Sequence, residues 1–210
     1  MGIDPEWHRL RISADTCAQH TPTNTSRWLA LNALSELDAE GEYYLLRNES
    51  KALFIPPRDA TEIVLSDAAV IVNATGLQNV HFQGISMQFA RATAVSCGAC
   101  RNFVITDSEI ANIGEQAVVI DGYQCGLDNV TVHSTGCEGV DVRGGDTASL
   151  TPGRSFVLRS TIANASRWHR TYTPHIRIGG VSNTYSNNTI LNGEPSMALA
   201  WHSLLCFPCS

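Results

Sequence analysis

The chain has 210 residues, with 14 Lys and Arg against 20 Asp and Glu and a net charge of -6. That length is about one domain with room for a proper core, and the charge balance argues against a nucleic-acid partner, which asks for a basic face. Only 16% of the residues are charged, and Gly, Asn, Ser, Thr and Val are plentiful, the composition of short strands and turns; no apolar run of about 18 residues is present to span a membrane.

In chain order, the opening "MGIDPEWHRLR" has no apolar stretch of the kind a signal peptide carries, and Glu6 stands where a myristoylation site wants Ser or Thr. Residues 1–60 differ from the rest. The stretch "RWLALNALSELDAEGEYYLLRNESKALFIPP" (27–57) predicts a short helix around Ala30 to Leu37, then strands "EYYLL" and "KALFI" joined by the turn "RNES". It reads as a cap on the open end of a solenoid, shielding an edge strand that would otherwise pair with other chains.

Self-similarity begins after residue 60. "LQNVHFQG" at 77, "CRNFVITD" at 100 and "LDNVTVHS" at 127 each place an Asn directly before a β-former, at Asn79, Asn102 and Asn129. A second set, "AVVIDG" from 117, "GVDVRGG" from 139, "HIRIGG" from 175 and the degraded "MALAWH" from 197, alternates with period two. A repeat of about two dozen residues, made of short strands joined by Asn and Gly turns, predicts an all-β fold, a right-handed parallel β-helix over residues 61–202. The three Asn residues are expected to stack in one ladder at one bend. Residues 203–210, "SLLCFPCS", form a non-repeat tail, and their apolar character without a polar cap suggests truncation at the C-terminal end.

Alternation assigns faces. Val118 and Ile120, Val140 and Val142, Ile176 and Ile178, then Ala198 and Ala200, point inward. Asp121, Asp141, Arg143, His175, Arg177 and Trp201 point outward, so charge gathers on one exposed face, with Asp141 beneath Arg177 and Asp121 beneath Arg143. The α-carbons of Asp121 and Asp141 should lie about 8 Å apart, from about 4.8 Å of strand spacing and about 6.6 Å along the strand. Carboxyls so placed suit either retaining or inverting glycoside hydrolysis. The stretches "GGDTASLTPGRS" and "NASRWHRTYTPH" exceed what one turn of the repeat needs and are expected to wall a groove beside this face. They supply Asp146, and Trp168, Arg170 and Tyr172 to stack on sugars and bind hydroxyls. The bland alternative is that Asp over Arg merely decorates a solvated sheet, worth about 0.2 to 1 kcal/mol per pair.

Cysteine usage is less informative. Of seven cysteines, Cys97 and Cys100 form "CGAC" and Cys206 and Cys209 form "CFPC"; scattered thiols are the expectation, with a disulfide or metal pair as the alternative. Six N-x-[ST] triplets, at Asn24, Asn48, Asn73, Asn129, Asn164 and Asn187, exceed the roughly two that chance placement gives. They point to an extracellular, secreted parent protein. Neither a cofactor nor a metal is expected, and the chain is expected to be monomeric.

The segments "NALSELDAEGEYYLLRNESKALFIPP", "GVDVRGGDTASLTPG", "RWHRTYTPHIRIGGVSNT" and "NNTILNGEPSMA" together resemble right-handed β-helix proteins of the carbohydrate-active class, solenoids similar to pectate lyase. The resemblance covers about residues 27–202 and is nearest to the β-helix glycoside hydrolases that include α-L-fucosidase and xylanase-type members, with a β-xylosidase family second. Thr147 stands where members have a basic residue and Ser196 where they have a His. The resemblance implies an extracellular or lysosomal-type glycan hydrolase using paired carboxylates. The sequence thus leads to a hydrolase of polysaccharides or oligosaccharides, or an inactive fragment of one. Asp141, Asp146 and Asp121 are the catalytic candidates, and Arg143, Trp168, Arg170, Tyr172, His175 and Arg177 the substrate-binding ones. A polysaccharide lyase of the same architecture is the runner-up, though no lysine follows Lys51 to act as its base. A non-catalytic glycan-binding β-helix is the third reading.

Overall fold

A computed structural model describes residues 32–169 and 172–192, together with the backbone of three short strands outside them. The chain divides into two compact units, residues 1–63 and 64–210. In the first, β1 (Gly2–Asp4) and β2 (Arg9–Arg11) pair antiparallel. The helix predicted around Ala30 to Leu37 is, within the described residues, a single 3-10 turn at Leu34–Glu36. The two predicted strands are there as a hairpin, β3 (Tyr43–Leu46) and β4 (Lys51–Phe54), antiparallel with Tyr43 opposite Phe54. Asn32 braces it, its amide donating to the Leu45 carbonyl (3.1 Å) and its Oδ1 accepting from the Leu45 N–H (2.6 Å).

The second unit is built from β5 (Val70–Thr75), β6 (Gln78–Gln83), β7 (Ser86–Gln88), β8 (Thr93–Thr106), β9 (Glu109–Ile113), β10 (Val118–Tyr123), β11 (Gly126–Asp128), β12 (Thr131–Thr135), β13 (Val140–Asp146), β14 (Thr151–Pro152), β15 (Phe156–Leu158), β16 (Thr161–Ala163), β17 (Ile176–Gly180), β18 (Thr184–Ser186), β19 (Thr189–Leu191) and β20 (Ala198–Ala200). Apart from the β13–β14 hairpin, these strands pair in parallel and form three ladders. The first runs β5, the start of β8, β10, β13, β17, β20. The second runs β6, the end of β8, β11, β15, β18. The third runs β7, β9, β12, β16, β19. Each pass of the chain therefore gives one strand to each ladder, and β8 serves two because it turns a corner at Ala99 and Asn102, both at positive φ.

Columns of like residues follow from this register. Val72, Val95, Val118, Val140 and Ile176 are successive partners in the first ladder, Phe82, Ile105, Leu127 and Val157 in the second, and Met87, Ile110, Val132 and Ile162 in the third. Most are fully buried in one core, where Phe82 and Phe103 meet edge to face with centroids 5.7 Å apart. The inward pairs read from the alternation are therefore inward: Val118, Ile120, Val140, Val142 and Ile176 are buried, and Ile178 packs against them. Close packing makes each column sensitive to the loss of even one methylene.

The bends follow a different rule from the one expected. Asn102 Nδ2 donates to Asn79 Oδ1 (3.0 Å), but Asn129 Nδ2 donates to Asp107 Oδ1 (2.8 Å). Asn129 therefore stands at the next corner, one ladder further on, and the single three-Asn ladder is corrected to two. The reason lies in the conformation the corners share. Asn79 and Asn102 stand at one corner, Asp107, Asn129 and Asn187 at the second, and Asn112, Asn164 and Asn192 at the third, all at φ of 49–56°. That left-handed region strains most side chains and is tolerated best by Gly, Asn and Asp. An Asn before a β-former thus marks any corner, not a particular one.

"CGAC" is a disulfide: Cys97 and Cys100 are bonded across the β8 corner with α-carbons 6.1 Å apart, which corrects the expectation of scattered thiols for this pair. "CFPC", Asn24 and Trp201 lie outside the described residues. The longer pass that sequence assigned to two inserted stretches contains the β13–β14 hairpin, which reverses between Asp146 and Thr151; Gly145, at φ +87°, lies on β13 opposite Pro152.

Candidate functional site

The first ladder sets the site. Register places Asp141 beside Arg177 and Asp121 beside Arg143, as alternation requires. Depth is another matter. Asp141 is 4% exposed, so the face expected to be open is covered at its centre, while Asp121 beside it is exposed. Arg143 Nε lies 2.8 Å from Asp141 Oδ1 on its own strand. Arg177 Nε lies 3.8 Å from Asp141 Oδ2.

Arg177 turns mainly to Glu138, a residue that strand alternation does not single out. Glu138 is 2% exposed; its Oε1 pairs with Arg177 Nη2 and its Oε2 accepts from Gln116 Nε2 at 2.7 Å. Arg177 Nη2 also donates to the Tyr172 carbonyl at 3.3 Å, tying Tyr172 to the cluster. Glu138 sits in the turn before β13, where the period of two does not apply. The available signal was its place in line with Gln116, each two residues ahead of a strand of the same ladder.

Two buried carboxylates thus share two guanidiniums, of which Arg143 is one-third exposed. The cost falls on Asp141. Its Oδ1 is buried against Arg143 Nε, 2.8 Å away. Burial pushes its pKa from 3.8 up to about 6, partly countered by Arg143 and reinforced by the negative charge of Asp121. The carboxyl is therefore protonated below about pH 6 and gives up its proton as the pH rises through that value.

His175 is not on this face. It is 1% exposed, in the interior, where burial lowers its pKa and a backbone hydrogen bond with Leu191 of the third ladder opposes that shift. β17 starts at Ile176, so alternation cannot be carried back through the Pro174–His175 bend, and His175 is removed as a substrate-binding or proton-abstracting group on the outside. Asp146 is also apart. It caps the β13–β14 turn, accepting from the Ala148 N–H (2.9 Å) and Ser149 Oγ (2.7 Å), bonds that hold its pKa below the usual carboxylate range. It lies at the far end of β13 from Asp141.

Of the aromatic candidates, Trp168 is 56% exposed and lies over the bend that leads into β13, its indole N–H donating to the Gly114 carbonyl at 2.9 Å. A Cβ on Gly136 would collide with that indole and with the Gly114 carbonyl, so glycine there is what seats the ring. Tyr172 is exposed at the loop end held by Arg177. Arg170 lies outside the described residues. Among the described residues, no group of three or more His, Cys, Asp or Glu could hold a metal ion, and no helix is long and apolar enough to cross a membrane.

No family model, curated protein or solved structure matches this chain.

Proposed function

We propose that the three ladders wind as a right-handed parallel β-helix and that the protein is a glycoside hydrolase acting on polysaccharide or oligosaccharide chains. The observation that carries this reading is the pair Asp141 and Asp121: one carboxyl buried with its pKa raised to about 6, the other exposed one strand away and offset by two residues. Glycoside hydrolysis needs a carboxylic acid that is still protonated at working pH and a second carboxylate that is ionised, and unequal environments are how one site provides both.

In this mechanism Asp141 donates its proton to the departing glycosidic oxygen, and Asp121 supports the developing positive charge at the sugar carbon as nucleophile or as base to a water. Arg143, one-third exposed and laid over Asp141, is the group that must swing toward a substrate hydroxyl to uncover the acid. Glu138 and Gln116 hold Arg177 in place, and Trp168 and Tyr172 offer exposed faces on which sugar rings stack.

The proposal includes secretion. Asn48, Asn73, Asn129, Asn164 and Asn187 are all exposed, and the Cys97–Cys100 disulfide suits an oxidising compartment.

A non-catalytic glycan-binding protein is the second reading, favoured by the near-complete covering of Asp141 and Glu138. Incubation with a panel of neutral and uronic-acid oligosaccharides separates the two. Release of new reducing ends without an unsaturated chromophore supports hydrolysis. Binding to the panel without release supports the second reading, and an unsaturated chromophore accompanying the new reducing ends would mark a lyase and overturn both.

A further inference from the structure

A second group of reactive side chains lies on the same bend and is used by none of the chemistry above. Cys137 Sγ faces His169 Nδ1 at 3.8 Å, within reach of a thiol hydrogen bond and typical of the loose spacing that nucleophile and base show before a substrate tightens them. Both partners are held by their backbones. The Cys137 carbonyl accepts from the Ser166 N–H (2.7 Å) and from Thr135 Oγ1 (2.8 Å), and the Cys137 N–H donates to the Glu115 carbonyl (3.1 Å). The His169 N–H donates to the Gly136 carbonyl at 3.1 Å, and its own carbonyl accepts from Thr173 Oγ1.

The sequence builds this juxtaposition in two steps. Gly136 allows Trp168 to lie directly on the bend, because any Cβ there would strike its indole. With Trp168 seated, the next residue brings its imidazole over the next position of the bend, Cys137. Cys125 is the comparison within the same chain. Its thiol is buried and donates to the Tyr123 carbonyl (3.4 Å), and burial pushes its pKa up.

We propose that Cys137 and His169 form a thiol–imidazole nucleophilic pair, a modification site for small, uncharged, soft electrophiles. Smallness follows from the 6% exposure of Cys137. Lack of charge follows from its neighbour Glu138, already paired with Arg177 in a dry cluster that a second ion would disturb. In the step itself the Cys137 proton passes to His169 Nδ1, the thiolate sulfur forms a bond to the electrophilic carbon, and the electron pair of the broken bond leaves with the departing group. The imidazolium then returns its proton to that group or to water.

Iodoacetamide is the probe, because it is small and neutral and loses iodide as the S–C bond forms. The full chain is alkylated for short times between pH 5.5 and 9, and Cys137 and Cys125 are followed separately by peptide mass mapping. The expected result is that Cys137 reacts about tenfold faster than Cys125 at pH 7 and has a rate profile with its inflection below that of an ordinary thiol, about 8.5. His169→Asn should remove that advantage and return the inflection to the ordinary range. Cys137 labelling at the Cys125 rate, or a wild-type profile inflecting at 8.5 or above, overturns the proposal, and the wild-type profile alone decides it if His169→Asn does not fold. An unchanged rate in a folded His169→Asn overturns it as well.

Discussion

Replacing Asp141 by Asn isolates the energetic cost of the buried carboxylate. In the folded chain its pKa is about 6, against 3.8 for the ordinary group, a gap worth about 3 kcal/mol at 1.36 kcal/mol per unit. The direction follows from proton linkage. The folded state binds the proton more tightly, so this contribution to stability is fully present below pH 3.8 and is lost as the pH rises through about 6. The amide of the Asp141→Asn variant carries neither the charge nor the titration. Arg143 is partly solvated and Arg177 keeps Glu138, so the variant does not strand a buried cation. Urea unfolding of both proteins from pH 8 to pH 4 gives the difference in stability directly. Wild type should gain about 2.5 kcal/mol relative to Asp141→Asn as the pH falls across that range, nearly all of it between 7 and 4, with the remainder appearing only below pH 4. A difference curve flat to within about 0.5 kcal/mol, or one of opposite slope, refutes the buried-carboxylate argument.

Other expectations test other parts of the structure. Ile120→Ala removes a fully buried side chain from the first ladder and should cost about 2–5 kcal/mol in the same unfolding assay, with a lower melting temperature. Asn102→Ala loses the bond to Asn79 and puts a Cβ-bearing residue without a compensating amide at φ 50°; it should cost about 1–2 kcal/mol, and Asn102→Gly, which relieves the backbone strain, clearly less. Gly136→Ala should unseat Trp168, detected as a shift in tryptophan emission and a rise in its acrylamide quenching. Expressed through a secretory pathway, the chain should lose mass on treatment with an N-glycan-releasing enzyme.

The sequence carried the direction of strand residues well and their depth poorly. Val118, Val140 and Ile176 were legible as one column because β-branched residues recur with period two between Gly-marked ends, and the parallel register then had no other way to bury them. Asp141 was correctly directed outward, yet alternation says nothing about what lies over a residue, and Arg143 and Arg177 lie against it. His175 and Glu138 were misread or missed for one shared reason: each belongs to the bend ahead of a strand, where the period of two has not begun. Asn129 was assigned to the wrong corner because every corner requires the same left-handed backbone and so favours the same residue. Cys97 and Cys100 illustrate a spacing that serves disulfides, metals and unrelated thiols alike, so that only the β8 corner decides between them.

The central claim, that Asp141 delivers a proton to a glycan, is tested most directly by the pH dependence of reducing-end release in wild type, Asp141→Asn and Asp141→Glu. Activity in wild type should fall as the pH rises through about 6, Asp141→Asn should lose about 10²–10⁴-fold, and Asp141→Glu should retain a fraction of the rate with a displaced limb. Release that is unchanged in Asp141→Asn, or a wild-type limb that does not fall near pH 6, contradicts the assignment.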